Sequence, residues 1–398
     1  MRLLRFTLGV LLFGLAVSPA QAGFSSLYVF GDGVSTTTSN ATPLVNYYYG
    51  KRNSNGRVWV ELLAERLGLT NNYWYSTNNS IQLSYTNLSA SSTNWSYSSN
   101  NWSFYDDYSP VLETNINHFT APVGASNALF IVWVNDADFV GDMGNVYFNG
   151  YGTNITQWTN AINQSLTNHW NIITNLYYAK GARTLVMPNA VDITEIPEYN
   201  GLAAADKSFI RQMVIYFNTS FTALLNQANA SLPGITIYEP DFFGLLDNVL
   251  TNAAAYGLTN ALANLGGGNI ESIDAIDAVN YGYPSASIDG YGTNFIFWDY
   301  DDPTAKLHAV LADSVQQLIA PAQITNLTLL NGSNQLGAAS LPIGLNGFVD
   351  GTTNLAPTNW VAQASFNSSN ATQTIFVPAS GSQQLFYRLR FAYTWSWP

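Results

Sequence analysis

Four short, almost continuous apolar runs, each followed by a segment with helical periodicity, constrain the fold of this chain more than any other feature. They read LYVFGD from position 27, ALFIVWV from 128, RTLVMPNA from 183 and ITIYEPD from 235. Strands of this length without polar alternation are typical of a parallel sheet that is covered on both faces. The sequence therefore predicts an α/β fold built on a parallel sheet.

The segments between the runs contain the predicted helices. In RVWVELLAERLGL the apolar side chains form one face, and Gly68 stands where a C-terminal cap belongs. Large apolar residues recur at helical spacing between Ile155 and Gly181. A third helix is predicted from about Ala205 to Asn229. We expect these helices to cover the faces of the sheet.

The two ends of the chain do not follow this pattern. Residues 1–22 combine two arginines, a short apolar stretch and a small-x-small sequence that ends at Ala22, which is typical of a cleaved signal peptide. Residues 321–398 form short alternating segments and predict a small all-β module. The predicted α/β domain lies between them, at 23–320, with an Asn-, Ser- and aromatic-rich insertion at about 71–109.

Composition and charge exclude several functions. The chain has 13 Lys and Arg against 25 Asp and Glu, a net charge of -12, so it repels phosphate backbones and we expect no nucleic-acid partner. It has no cysteine, which excludes thiol chemistry and cysteine metal sites. No run after the signal approaches the roughly 20 apolar residues of a membrane span. We therefore expect a secreted, periplasmic or extracellular protein without a transmembrane segment.

Four sequence blocks occur in a recognisable order along the chain: FGDGVSTTTSN, NSNGRVWVELLAERLGL, NAAAYGLTN and FWDYDDPTAKLH. Together they resemble the SGNH/GDSL family of ester hydrolases, over roughly residues 25 to 320. The first block is similar to the Gly-Asp-Ser-Leu block of that family, and the last is similar to its Trp-Asp-x-x-His-Pro-Thr block. The resemblance implies a flavodoxin-like three-layer α/β/α SGNH domain with a parallel sheet, here followed by the small C-terminal all-β module.

The resemblance also implies acyl transfer by a serine, a histidine and an aspartate, with an asparagine among the oxyanion donors. Position by position, the serine falls on Gly33 and the histidine falls on Asp302, whereas Asp299 keeps the aspartate. An alignment without gaps puts Ala137 at the asparagine position. A two-residue deletion would instead put Asn135 there, which makes Asn135 an oxyanion candidate.

The residues that could replace the missing serine and histidine are weak candidates for catalysis. Ser35 follows Gly33 by two residues, where a serine more often caps a helix than reacts. His308 falls on a predicted helix and is better explained by packing. Asp32 and the carboxylates of the 299–302 loop suit a hard cation such as calcium. Because no dedicated loop pattern accompanies them, backbone hydrogen bonds are the favoured role for Asp32, and we expect no metal and no cofactor.

Three functions follow from these observations. The first is an exported relative of the ester hydrolases that has lost its reactive groups and keeps the cleft for a small ester, lipid or glycan ligand. The second is an active hydrolase of ester bonds with non-standard catalytic residues. The third is attachment to a cell surface or matrix through the C-terminal β module.

Overall fold

A parallel sheet is the centre of the larger domain. The computed structural model describes residues 23–37, 52–69, 101–103, 107–199, 201–258, 295–330, 332–356, 359–378 and 385–391. Every residue of β1 and β2 is buried, because layers of helix cover both faces. The predicted α/β fold with a parallel sheet is confirmed. Its strands, in spatial order, are β1 (Leu27–Gly31), β2 (Leu129–Trp133), β3 (Thr184–Val186) and β4 (Thr236–Tyr238).

The free edge of β1 pairs with a short segment that follows it in the chain. Val29 forms a parallel bridge with Asn101, and the N–H of Trp102 donates to the carbonyl of Val29 at 2.8 Å. Since β2 occupies the other edge of β1, the strand order reverses at β1, as in doubly wound flavodoxin-like sheets. Ligands of such sheets bind beyond the carboxyl ends of the strands at the reversal. Here those ends are Gly31 and Trp133.

Helices lie on both faces of the sheet, which gives the three layers. Alternate residues of β1 point to opposite faces: Leu27 and Val29 pack with α1 and α7, whereas Tyr28 and Phe30 pack with α2, α4 and α5. Gly68 and Gly181 follow α1 and α4 in left-handed conformations, with φ of 72° and 76°. The helices are α1 (Trp59–Arg66), α2 (Ser109–His118), α3 (Asn135–Asp142), α4 (Ile155–Tyr178), α5 (Ala204–Ser231), α6 (Phe242–Thr251) and α7 (Ala305–Ile319).

The C-terminal region consists of antiparallel strands, as predicted. Two three-stranded sheets, in the orders β5-β6-β9 and β10-β7-β8, enclose a small apolar core. Arg66 of α1 links this region to the α/β domain, because it pairs with Asp313 at 2.8 Å and donates to the carbonyl of Ile343 at 3.0 Å. The strands are β5 (Gln323–Leu330), β6 (Ser333–Ala339), β7 (Asn346–Thr352), β8 (Val361–Asn367), β9 (Gln373–Pro378) and β10 (Phe386–Phe391).

Some sequence predictions fall outside the described residues. These are the signal peptide at 1–22 and nearly all of the insertion at 71–109. Within the described residues, no helix has the length and apolar character needed to cross a membrane.

Candidate functional site

A cavity of about 360 Å³ opens at the carboxyl ends of the strands, which is where the reversal in strand order predicts a ligand site. The segments that follow β1, β2 and β3, including the helix that begins at Asn135, supply most of its wall, and the 299–302 loop completes it. It is lined by Asp32, Gly33, Val34, Tyr108, Asp136, Ala137, Val140, Gly141, Val191, Ile193, Ile196, Asp301 and Asp302. We call it the first cavity. The structure thus brings Gly33 and Asp302, which are far apart in sequence, to one site.

The turn after β1 holds Asp32 and Gly33. Asp32 caps a 3-10 turn that spans Gly33–Ser35, and its carboxylate accepts the N–H of Val34 at 3.1 Å. Gly33 is not among the described glycines with positive φ, so the backbone at this position does not require glycine. Gly31 does have a steric role, since a Cβ there would lie 3.0 Å from the carbonyl oxygen of Trp133.

Ser35 is the last residue of this turn and is fully buried. Its Oγ accepts the indole N–H of Trp59 at 3.1 Å, and Ser35 does not line the cavity. The hydroxyl is therefore part of the packing between the turn and α1. Sequence reasoning considered a helix cap for Ser35, but here Asp32 is the residue that caps the turn.

None of the histidines lines the first cavity. The chain has three, all within the described residues. His308 is buried in α7, where its Nδ1 accepts the backbone N–H of Trp59 at 3.2 Å, and burial lowers its pKa to about 3. His169 is buried within α4, and His118 is exposed at the end of α2. No imidazole therefore lines the cavity to act as a base toward a ligand there.

The 299–302 loop is organised by its first carboxylate. Asp299 Oδ1 accepts the backbone N–H groups of Asp302 at 2.7 Å and Asp301 at 3.2 Å. The N–H of Trp298 donates to the carbonyl of Asp302 at 2.8 Å and closes the loop. Asp299 thus holds the backbone of the residue at the histidine position.

The second and fourth sequence blocks contact each other across the domain. Ser54 Oγ donates to the carbonyl of Pro303 at 2.9 Å, and Asn55 Oδ1 accepts the N–H of Ala305 at 2.8 Å. Thr304 caps α7, because its side chain accepts the N–H of Leu307 at 3.3 Å. The Ser-Asn-Gly segment therefore positions the loop that carries Asp302.

No Lys, Arg or His of the part of the chain that the structure describes lines the cavity beside its carboxyl groups. Burial, and then the charge of Asp299, raises the pKa of Asp302 well above its usual value. Burial is also the main cause that raises the pKa of Asp32 well above its usual value and that of Asp136 to about 7. The cavity therefore presents carboxyl groups that stay protonated at higher pH than an ordinary aspartate.

Three carboxylates of this loop lie close together. One oxygen from each of Asp299, Asp301 and Asp302 lies within 4.8 Å of the others. Burial, and then Asp299, raises the pKa of Asp301 well above its usual value. Asp299 Oδ1 already accepts the backbone N–H groups of Asp301 and Asp302, and protonation of the carboxyl groups whose pKa is raised offsets part of the repulsion.

The two candidates for the asparagine position, Ala137 and Asn135, lie in different surroundings. Ala137 lines the first cavity together with Gly33 and Asp302. Asn135 is buried at the start of α3, and its Nδ2 donates to the carbonyl of Pro188 at 2.8 Å. Asn135 is therefore not among the lining residues, and its amide is directed to the β3–α5 connection.

Sequence reasoning missed several residues of this site. Asp136, which lies between the two asparagine candidates Asn135 and Ala137, accepts the N–H of Val191 at 3.0 Å and lines the cavity. The apolar residues after β3 were not predicted at all. The available signal was the place of these residues, directly after strands whose carboxyl ends share one edge of the sheet.

A doubly wound α/β domain with its cavity at this edge defines the general class of the protein. No family model matches the chain. A GDSL esterase/lipase of Arabidopsis thaliana is 22% identical over 320 residues, which cover 73% of this chain and 88% of that protein. Another from the same plant is 24% identical over 238 residues, covering 57% of this chain and 61% of that protein. The chain is therefore similar in sequence to GDSL esterases/lipases over much of its length.

Proposed function

We propose that this protein is a catalytically degenerate GDSL/SGNH-like protein, whose cleft binds a small ester, lipid or glycan ligand without turning it over. One observation carries the proposal: Gly33 and Asp302, at the nucleophile and histidine positions, both line the first cavity, and no histidine of the chain does. The site is formed, but the two reactive side chains are replaced.

The chemistry of the replacements supports this proposal. Gly33 has no side chain to attack a carbonyl carbon. At position 302 burial and neighbouring carboxylates raise the pKa of the carboxyl group well above its usual value, which favours the protonated form, and a protonated carboxyl cannot accept a proton as a general base. Loss of a single triad member typically costs a factor of about 10⁴ to 10⁶ in rate.

An active hydrolase with non-standard residues is the second candidate, and one observation favours it. Asp136 lines the first cavity and has a pKa of about 7, which suits a general base that activates water. Under this alternative, Asp136→Asn would abolish ester hydrolysis, because the amide cannot take a proton from water.

Hydrolysis of p-nitrophenyl acetate and butyrate separates the two candidates. We expect the wild type and Asp136→Asn to be equally inert, and the Gly33→Ser, Asp302→His double variant to gain turnover. Enzymatic turnover by the wild type that is lost in Asp136→Asn would contradict the degenerate assignment and support the alternative. Circular dichroism of each variant checks that the fold is retained.

Export and surface attachment complete the proposal. The signal at 1–22 supports export, and N-terminal sequencing of protein recovered outside the cell should begin at Gly23.

Attachment is supported by β5, an edge strand on which Leu327 and Leu329 are 51% and 75% exposed. A Leu327→Lys, Leu329→Lys variant should be released from cells, whereas Thr328→Lys on the same strand should not. Equal retention of both variants would rule out attachment through this strand.

A further inference from the structure

A second cavity, of about 320 Å³, lies against the first. Tyr108, Ala137 and Gly141 belong to the walls of both cavities. No residue of the triad positions Gly33, Asp299 and Asp302 lines the second cavity. The second cavity therefore adjoins the first but lies outside the triad positions, and a ligand of the first cavity can extend into it.

Little side-chain volume separates the two cavities. Ala137 and Gly141 are one helical turn apart on α3, so they lie on the same face and present almost no side chain. A Cβ added at Gly141 would have no atom within 4 Å, which shows that open space adjoins it. The two cavities thus form one continuous groove across α3.

Polar side chains line the second cavity. Some of them already form hydrogen bonds with one another. Asp138 accepts the N–H of Ser109 at 2.8 Å and a hydrogen bond from Ser165 Oγ. Asn168 Nδ2 donates to Ser109 Oγ at 3.0 Å. These bonds fasten α2, α3 and α4 to one another and make a rigid polar floor.

A second group remains available to a ligand. The side chains of Asp142 and Asn145 make no hydrogen bond with another described residue, and Gln164 uses only its amide N–H, toward Asn168 at 3.0 Å. These carboxyl and amide groups supply both donors and acceptors. Tyr108, 47% exposed, adds an aromatic surface at the junction of the two cavities.

Charge limits what this groove can bind. Among the described residues, no Lys, Arg or His lines either cavity, whereas both are lined by aspartates. Burial, and then Asp138, raises the pKa of Asp142 to about 7, so even this free carboxyl is partly neutral near neutral pH. A phosphate, sulfate or carboxylate would meet repulsion here without a compensating cation.

We propose that the second cavity binds a neutral polyhydroxylated group, such as a sugar ring, and that the first cavity holds the apolar substituent of the same ligand. Vicinal hydroxyls both donate and accept, which matches the free groups of Asp142, Asn145 and Gln164. The ring of Tyr108 offers a face to the C–H groups of a sugar. This inference rests on the proposed binding function and specifies its ligand.

Isothermal titration calorimetry with n-octyl β-D-glucoside, below its critical micelle concentration, tests the proposal on the mature protein. Comparison ligands are 1-octanol, octanoate and octylammonium, which share the chain but differ in the head. We expect the glucoside to bind at least about tenfold more tightly than 1-octanol, because two or more hydrogen bonds are gained. An Asn145→Ala, Gln164→Ala variant should lose this advantage and keep the affinity for 1-octanol.

Gly141→Leu and Gly144→Leu form a matched pair that tests the continuity of the groove. A Cβ at either glycine meets no atom within 4 Å, but only Gly141 lines the cavities. Gly141→Leu should weaken glucoside binding at least about tenfold, whereas Gly144→Leu should leave it unchanged. Equal affinities of these two variants would overturn the continuous groove.

Other results of the calorimetric titrations lead to different conclusions. If the glucoside and 1-octanol bind equally, the sugar subsite is wrong and the proposed binding function stands. If octylammonium binds most tightly, the groove selects a cation and the inference is overturned. If no ligand of the series binds, the inference and the proposed function of the first cavity both fail for these ligand classes.

Discussion

The carboxylate of Asp299 accepts the backbone N–H of Asp302 at 2.7 Å. In the family pattern, the residue at position 299 would orient a histidine side chain at position 302. Here it holds the backbone N–H of Asp302, the residue that we propose stands at the histidine position, and also the N–H of Asp301. The shape of the loop therefore depends on hydrogen bonds that do not require an imidazole.

The first prediction concerns this hydrogen bond. Asp299→Ala should lower the free energy of unfolding by about 1 to 3 kcal/mol, because two backbone N–H groups lose their acceptor in a buried loop. Asp299→Asn retains an oxygen and should cost less. Urea denaturation of both variants measures the difference. Equal destabilisation by Ala and Asn would show that the hydrogen bonds do not hold the loop.

The second prediction concerns Ser35. Ser35→Ala should lower the free energy of unfolding by about 1 to 2 kcal/mol, because the buried indole N–H of Trp59 loses its partner. It should not alter hydrolysis of p-nitrophenyl esters, since Ser35 lies outside the cavity. Ser231→Ala, on the exposed end of α5, is the matched control and should be nearly neutral. Loss of measurable turnover in Ser35→Ala alone would make Ser35 a nucleophile.

The third prediction is a pH dependence of stability caused by Asp136. Its pKa in the folded protein is about 7, above the usual aspartate value, so its contribution to stability is complete below about pH 4 and is lost as the pH rises through 7. Asp136→Asn keeps an acceptor for the N–H of Val191 but cannot ionise. We expect the variant to be more stable than the wild type at pH 8, by on the order of 1 to 3 kcal/mol, and similar at pH 4 to 5.

Thermal unfolding of both proteins from pH 4 to pH 8 measures this effect. The difference between variant and wild type is the relevant quantity, because it reports the ionisation of Asp136 together with its effect on Asp32, whose pKa the charge of Asp136 raises. A difference that does not change with pH would show that Asp136 ionises at its ordinary value in the folded protein.

The fourth prediction concerns the contact between the α/β domain and the β strands. Arg66→Met should lower the free energy of unfolding by about 3 to 5 kcal/mol, because Asp313 is left buried without its cation. Lys207→Met, which breaks the more exposed pair with Glu195, should cost less than about 1 kcal/mol. Guanidinium denaturation compares the two. In an Arg66→Met, Asp313→Leu variant, much of the loss should be recovered.

The sequence by itself determined the fold class, the strands of the parallel sheet and several of the helices that cover it. Strand β1 was predicted from the run LYVFGD and α4 from its apolar spacing, because the period of a helix or a buried strand is a local property. It also predicts that Gly33 and Asp302 stand at the serine and histidine positions of the family pattern, since the sequence blocks that carry the resemblance contain these residues.

Only the tertiary structure decided which side chains meet. The contact between Asn55 and Ala305 joins residues 250 positions apart, and no local pattern specifies it. The same holds for Ser35, whose hydroxyl is engaged by Trp59, and for Asp136, whose pKa is raised because the folded domain removes it from water. Burial and long-range packing set these properties, and they exist only once the sheet and its helices have assembled.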